Sequence, residues 1–456
     1  MGLIKRLAYD THQRVNPAKA APRFRVALTA FGEGELRKKV AHMRKMIADR
    51  PFEEFSFPSA GLFYGVGPVD AKTAYIFPGQ GSQYLGMGKT LAETFLTARR
   101  TWESLGNMRL GGKSVKEMVF IPEALDKENA KETFVRLSSA EWAGPSTIVA
   151  GEAILQLLEE IGSEPDAVAS HSFGDVAALR AAGVFTSEDI LKISRIRGEL
   201  TIACHQVGRG CILIVNEGVE TINDLLARNG IANIWIANYN TKGQATLTGT
   251  RESVERANQI FRGQRIASRL IPISGAPHCP LAYNVTDNLS IYLRQVPIKK
   301  AKCDFYSFLF GRKVVNEPDV LLKILKTHSE KPVRFVQQIE RMYQDGFRTF
   351  IEIGPSDVLT TMVGQILEGR PHTALNTDHR KEDQAVLALL NTVAELFKQN
   401  RVRDLSPLWE GYRISDQDGK EDLGKGITAA VVAKYLKKLE LEFAKIERVR
   451  VAALVV

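Results

Sequence analysis

A chain of 456 residues, 44% of them hydrophobic, can bury one large core or two modest ones. Its 25% of charged residues is ordinary for a folded domain and excludes fibrous and intrinsically disordered classes. The net charge of +9, from 61 Lys and Arg against 52 Asp and Glu, is spread along the chain rather than gathered into a basic run, which argues against nucleic acid and suits an acidic protein or a phosphorylated ligand.

The four cysteines, Cys204, Cys211, Cys279 and Cys303, form no C-x-x-C and fit neither a disulfide framework nor a zinc site. A reducing, cytoplasmic setting without a bound metal follows as the expectation. No apolar stretch approaches a membrane span, so no membrane partner is expected. The start, Met1-Gly2-Leu3-Ile4-Lys5-Arg6, lacks the Ser or Thr of a myristoylation signal. Asp10 is the only acid up to Ala30, so a basic transit segment is the second, weaker reading of that stretch.

In chain order, residues 1–23 read as a loosely ordered basic lead, Phe24 to Ala30 as a strand, Glu33 to Ile47 as an amphipathic helix and Pro51 to Val69 as a loop. Residues 1–70 are therefore expected to be a linker or adaptor. Strand-like runs then alternate with helical patterns, which predicts a parallel sheet flanked by helices. Thr73–Phe77 is a predicted strand that enters the loop Pro78-Gly79-Gln80-Gly81-Ser82-Gln83. Asp166–Ser170 is a strand running directly into a helix over Phe173–Ala182, which Gly183 closes. Thr186 with Asp189 three residues on is the capping pair of the next helix.

From Cys211 the rhythm changes. Cys211–Asn216, Val219–Arg228, Asn233–Ala237, Gln244–Gly249, Glu252–Phe261 and Arg269–Ile273 spell β-α-β-β-α-β, the ferredoxin-like order. The expected class is α/β: a large α/β-hydrolase-like subdomain with a parallel sheet over 71–205 and 274–398, with an inserted ferredoxin-like subdomain over 206–273. Residues 399–456 are expected to be a C-terminal linker and an amphipathic helix over Ala429–Glu447, ending in an apolar tail to which the sequence assigns no role.

Val168-Ala169-Ser170-His171-Ser172-Phe173-Gly174-Asp175 is an apolar strand, a tight turn and a helix start. In that context a G-x-S-x-G-like pattern exposes the Ser172 hydroxyl, and the Phe173 N–H is placed to hold a developing oxyanion. Ser170 stands where the pattern has its first Gly, and an ordinary βα turn with a capping serine is the competing reading. Among the eight histidines, His278, between Pro277 and Pro280, is the best base for Ser172, its alternative being a structural loop histidine. His171 adjoins the nucleophile but points away from it around an elbow, and His328 lies in a polar stretch. Arg197 shares a helical stripe with Ile190, Ile193, Leu200 and Cys204, whereas Arg195 faces water. A guanidinium on an apolar stripe needs an anion, either a core carboxylate or the carboxylate of a substrate held by two hydrogen bonds.

Phe77-Pro78-Gly79-Gln80-Gly81-Ser82-Gln83, His171-Ser172-Phe173-Gly174, Arg197-Gly198, Ala276-Pro277-His278 and Phe350-Ile351-Glu352-Ile353-Gly354-Pro355, in this order, resemble the malonyl-CoA:acyl-carrier-protein transacylase family. The likeness is strongest to the acyltransferase domains of polyketide and polyunsaturated fatty-acid synthases and covers about residues 70–375; Arg23–Val69 resembles the linker ahead of such domains. The resemblance implies Ser172 as the acylated nucleophile and His278 as its base, oriented by a main-chain carbonyl. It further implies Gln80 and Phe173 as oxyanion N–H donors, Arg197 as the clamp on the acyl carboxylate, and Asn240 as a polar residue near the substrate. It implies no metal or tightly held cofactor: malonyl-CoA is the substrate, an acyl carrier protein brings the phosphopantetheine, and a ketosynthase or synthase is a further partner. Ser170 for Gly, Gly144 before Pro145 for Gln, and His328 for Gln depart from the family pattern. Gly275-Ala276-Pro277-His278 matches neither the malonyl nor the methylmalonyl fingerprint, while the bulk of Phe173 favours malonyl. The expected reaction is ping-pong acyl transfer from coenzyme A to the carrier. An editing hydrolase on the same scaffold and an inactive docking module are the alternatives; Arg197 argues against the first, and Ser172, His278 and Arg197 together argue against the second.

Overall fold

The computed structural model describes residues 24–31, 33–68, 71–121, 126–204, 210–271, 275–410 and 449–455. The basic lead over 1–23 and the helix expected over Ala429–Glu447 lie outside the described residues.

The larger unit is built on a six-stranded sheet. Its strands are β4 (Lys72–Phe77), β5 (Ala167–Ser170), β10 (Asp304–Ser307), β11 (Arg312–Lys313), β12 (Phe347–Glu352) and β13 (Thr373–Asn376), in the spatial order β11-β10-β5-β4-β12-β13. All neighbours are parallel except the antiparallel edge pair β10–β11. The innermost strand β5, Ala-Val-Ala-Ser, is an unbroken run of small and apolar residues buried at every position, as a parallel strand covered on both faces requires. Helix α3 (Gly174–Ala181) packs on β5, β4 and β10, and α2 (Ala140–Glu160), α3 and α4 (Ser187–Cys204) pack on one another. Thr186 and Asp189 exchange hydrogen bonds at 3.1 Å at the start of α4, the reciprocal cap that their spacing predicts.

The inserted unit is a four-stranded antiparallel sheet of β6 (Cys211–Val215), β7 (Ile234–Thr241), β8 (Gln244–Gly249) and β9 (Ser268–Ile271), in the order β9-β6-β8-β7. Helices α5 (Val219–Arg228) and α6 (Arg251–Gly263) cover it, and their buried Ile222, Leu226, Val254, Ala257 and Phe261 fill its core. This is the ferredoxin-like order. Strand β7 extends past the expected Ala237, because the Tyr239 N–H binds the Val333 carbonyl at 2.8 Å and the strand turns directly into β8. That extension carries Asn240 into the cleft between the two units.

The N-terminal stretch is more structured than its composition suggests. Strand β1 (Phe24–Ala30) is buried throughout and α1 (Glu33–Asp49) lies on it. The expected loop over Pro51–Val69 contains β2 (Phe55–Phe57) and β3 (Leu62–Val66), separated by Pro58 and by Gly61 at φ 63°. Each run is too short to read as a strand alone; β3 pairs with β1 far away in sequence, and Phe24 stacks on Tyr64 at 6.3 Å. The apolar tail, β14 (Val449–Val455), runs parallel to β1 on its other side.

Candidate active site

The register between β4 and β5 brings Phe77 opposite Ser170, so the loop after β4 and the turn after β5 leave the sheet side by side. The His171 N–H binds the Phe77 carbonyl at 3.0 Å and ties the two together. Ser172 then takes φ 53°, a left-handed conformation that lifts its hydroxyl out of the strand before α3 begins. A Cβ on Gly174 would collide with the Phe77 carbonyl oxygen, so this turn requires glycine there.

His278 comes to Ser172 from 106 residues away: its Nε2 lies 2.6 Å from Ser172 Oγ. Its backbone is also left-handed, at φ 62°, and is fixed by an N–H bond to the Ser329 carbonyl at 2.6 Å. Nδ1 donates to the carbonyls of Lys331 at 2.9 Å and His328 at 3.1 Å. Carbonyls only accept, so Nδ1 carries the proton and Nε2 is left as a lone pair facing the Ser172 hydroxyl. Burial, then the nearby Arg197 charge, holds the imidazole down at about 3, so the ring is neutral at physiological pH.

Arg197 is 6% exposed and has no ion pair among the described residues, and its Nε has no hydrogen-bond partner. Its guanidinium sits 4.5 Å from the centre of the Phe173 ring, and its field reaches both His278 and His328. Burial alone lowers it to about 10, which leaves it charged at neutral pH. Among the described residues the core carboxylate that would make it a structural salt bridge is missing. Arg195 pairs with Glu199 at the surface, as the helical spacing predicts.

Phe173 is buried, with its N–H at the mouth of α3, while Gln80 is exposed on the facing loop. Neither main-chain N–H has a hydrogen-bond partner among the described residues, so both are free to receive an oxyanion. Asn240 is buried: its Oδ1 accepts from His171 Nε2 at 3.0 Å, and its Nδ2 donates to Thr246 at 3.1 Å and Gln244 at 3.2 Å. His171, read from sequence only as a poorer base, thus joins the elbow to the small sheet, with its ring edge against Phe335 at 5.5 Å. Nothing in its local sequence points to a partner on β7.

The departures from the family pattern have local structural partners. Ser170 Oγ is hydrogen-bonded to Asp175 Oδ1, and burial raises that carboxyl to about 8. A Cβ on Gly144 would come within 3.2 Å of the Phe173 ring and 3.3 Å of Ser194 Oγ, so the small residue makes room for the large one. His328 is buried; its Nδ1 donates to the Leu325 carbonyl at 2.7 Å and its main-chain carbonyl helps orient His278. A cavity of about 560 Å³ opens beside the elbow and includes Gln80, His171 and Asn240 in its wall, whereas Ser172, His278 and Arg197 are not among its lining residues. Among the described residues no group of three or more His, Cys, Asp or Glu side chains could hold a metal ion, and no helix is long and apolar enough to cross a membrane.

Residues 74–400 match the family described as "Acyl transferase domain". The malonyl CoA-acyl carrier protein transacylase of Bacillus subtilis is 30% identical over 302 residues, which are 65% of this chain and 90% of the relative. A PKS-NRPS hybrid synthetase of Aspergillus candidus is 27% identical over 75% of this chain, but the chain spans only 13% of that protein. In fold, the chain is similar to the acyltransferase domain from the second module of the salinomycin polyketide synthase, with a TM-score of 0.68 at 22% identity over 93% of this chain and 91% of that one. It is also similar to a malonyl-transacylase solved in complex with its type II polyketide acyl-carrier protein, with a TM-score of 0.61 at 24% identity over 69% of this chain and 99% of that one.

Proposed function

The chain belongs to the acyl transferase domain family, and from that premise we propose that it moves a malonyl or similar carboxyacyl group from coenzyme A to the phosphopantetheine thiol of an acyl carrier protein. His278 Nε2 takes the Ser172 proton as Oγ attacks the thioester carbonyl, and the Gln80 and Phe173 N–H groups receive the oxyanion. Collapse of the tetrahedral intermediate breaks the C–S bond, and His278 returns its proton to the departing coenzyme A thiolate. The carrier thiol then gives its proton to His278 and attacks the acyl-serine; Ser172 recovers the proton as the ester bond breaks. The neutral, doubly anchored His278 supports this shuttle, since the ring is ready to accept from Ser172 without first losing a proton.

Arg197 is the observation that selects the acyl group. A buried cation lacking a protein anion is costly, and a substrate carboxylate is the group that offsets the cost. An editing enzyme that clears acetyl or longer chains has no use for such a clamp, and an inactive docking module has no use for a serine hydrogen-bonded to a neutral histidine. Asn240, through His171, belongs to this reading as a residue that keeps the small unit against the elbow. The division into a linker over 1–70, a catalytic body over 71–205 and 274–398, an insert over 206–273 and a C-terminal segment over 399–456 is carried with it, as are a cytoplasmic location and a synthase partner such as a ketosynthase. Loss of a charge-assisted fork costs about 1.5–3 kcal/mol, on the order of tenfold to a hundredfold. Arg197→Ala should therefore lower kcat/KM for malonyl-CoA by that factor while leaving or raising that for acetyl-CoA. Malonyl preference unchanged in the variant contradicts the clamp.

A further inference from the structure

His328 caps the C-terminal end of α7 (Pro318–Thr327), and the main chain that follows it wraps His278. Those bonds use backbone carbonyls only, which leaves the His328 side chain free for another task. Its Nδ1 donates to the Leu325 carbonyl at 2.7 Å, so the proton is fixed on Nδ1 and Nε2 is a bare lone pair. That Nε2 is sealed from solvent and receives no hydrogen bond among the described residues. The hydroxyls of Ser194 and Ser329 are buried without partners too, but a hydroxyl can turn to give or to accept; the His328 lone pair only accepts. Arg197 carries the matching half. Of its nitrogens only Nε is both sealed and unpartnered, and the terminal Nη groups are not closed off in this way. After burial, the Arg197 charge is the strongest influence on the rings of both His278 and His328, so the guanidinium stands within electrostatic reach of each.

We infer, resting on the acyl-transfer reading, that His328 is the positioning residue of the carboxylate clamp: its Nε2 accepts the Arg197 Nε–H and leaves both Nη groups aimed at the acyl carboxylate. A guanidinium held only by its contact with the Phe173 ring can swing about its last torsions. A hydrogen bond at Nε fixes its plane, and a planar fork grips a carboxylate with two bonds only when that plane is fixed. A neutral imidazole suits the task better than an acid would. A carboxylate in its place would cancel the Arg197 charge and leave none for the substrate. One residue then serves two groups, its carbonyl orienting His278 and its ring orienting Arg197.

The test reads kcat/KM for malonyl-CoA relative to acetyl-CoA in the wild type, His328→Gln, His328→Leu, Arg197→Ala and the Arg197→Ala, His328→Leu double variant. Gln keeps an acceptor at the position and Leu removes it. The ratio should fall about tenfold or more in His328→Leu, the loss of a hydrogen bond to a charged group, and stay within about threefold in His328→Gln. With Arg197 already Ala, adding His328→Leu should change it by less than about twofold, because the histidine acts only through the arginine. An unchanged ratio in His328→Leu, an equal fall in His328→Gln, or the same fall in both Arg197 backgrounds overturns the assignment. Should the Leu variant fail to fold, the native side chain answers the question. In nitrogen NMR of histidine-labelled Ser172→Ala, malonyl-CoA should move the His328 Nε2 resonance, identified by its absence from His328→Gln, and acetyl-CoA should leave it in place. Identical spectra with the two thioesters overturn the pairing. A malonyl-specific shift with no malonyl-serine on the wild type refutes the acyl-transfer reading and leaves the pairing standing; malonyl-serine without the shift does the reverse.

Discussion

Ser172 and His278 both hold side-chain-bearing residues in the left-handed region, at φ 53° and 62°, which stores about 1–3 kcal/mol at each. The surrounding hydrogen bonds impose that strain: His171 to Phe77 on one side and His278 to Ser329 on the other. Because burial keeps the His278 ring down at about 3, the imidazole stays deprotonated far below the ordinary histidine value of 6.5. At subsaturating malonyl-CoA, acylation of Ser172 should therefore stay level from pH 8 to about pH 5.5; a fall centred on 6.5 would contradict the assignment. The same depression has a stability sign. His278 and His328 contribute stability that is complete above 6.5, their unfolded value, and is lost as pH falls towards about 3. Asp175 acts in the opposite direction: its folded value of about 8 lies above 3.8, so its contribution is complete below 3.8 and is lost as pH rises through 8. Urea unfolding of Asp175→Asn against wild type should show the variant gaining relative stability between pH 5 and pH 8.5, and a constant difference across that range would show the carboxyl to be ionised in the fold.

At the scale of elements, α2 and α3 meet where Gly144 faces Phe173. A large side chain after Ser172 and a missing one on the opposing helix are complementary changes in volume. Gly144→Gln overfills that contact and should cost about 1–3 kcal/mol of stability in denaturant unfolding, together with most of the acylation rate. Adding Phe173→Leu should recover a substantial part of both; a double variant no better than the single one would mean that the two positions are independent. The β4 loop, the β5 elbow, the capped α4 and the β-α-β-β-α-β insert were all legible because each writes its signal within a few residues: turn glycines, a capping pair, a change of period. The linker strands β2 and β3, the reach of β7 past Ala237 and the bond from His171 to Asn240 were not, since each depends on a partner distant in the chain. Arg197 was legible as a buried charge from its helical stripe, but only the folded chain reveals that no described carboxylate meets it.

Across the whole molecule, the N-terminal sheet is fastened to the catalytic body rather than tethered beside it. Arg25 is 1% exposed within β1 and donates to the Lys398 carbonyl at the end of α8 (Glu382–Lys398) and to the Gly67 carbonyl at 2.8 Å; Thr29 binds Asn391 on the same helix at 2.6 Å. Since α8 also packs on β13 of the central sheet, Arg25→Ala should destabilise the whole chain by about 1.5–3 kcal/mol for each charged hydrogen bond lost, seen as a lower midpoint of a single thermal transition. Two separated transitions would show that the N-terminal sheet folds on its own. The central claim is that a serine, a neutral histidine and an unpaired arginine share one acyl site. Weighing the intact protein after exposure to malonyl-CoA, and again after adding holo carrier protein, tests it most directly. One malonyl group should appear on the wild type, be missing from Ser172→Ala, and move to the carrier; a chain whose mass never changes, or whose adduct survives in Ser172→Ala, would contradict the account.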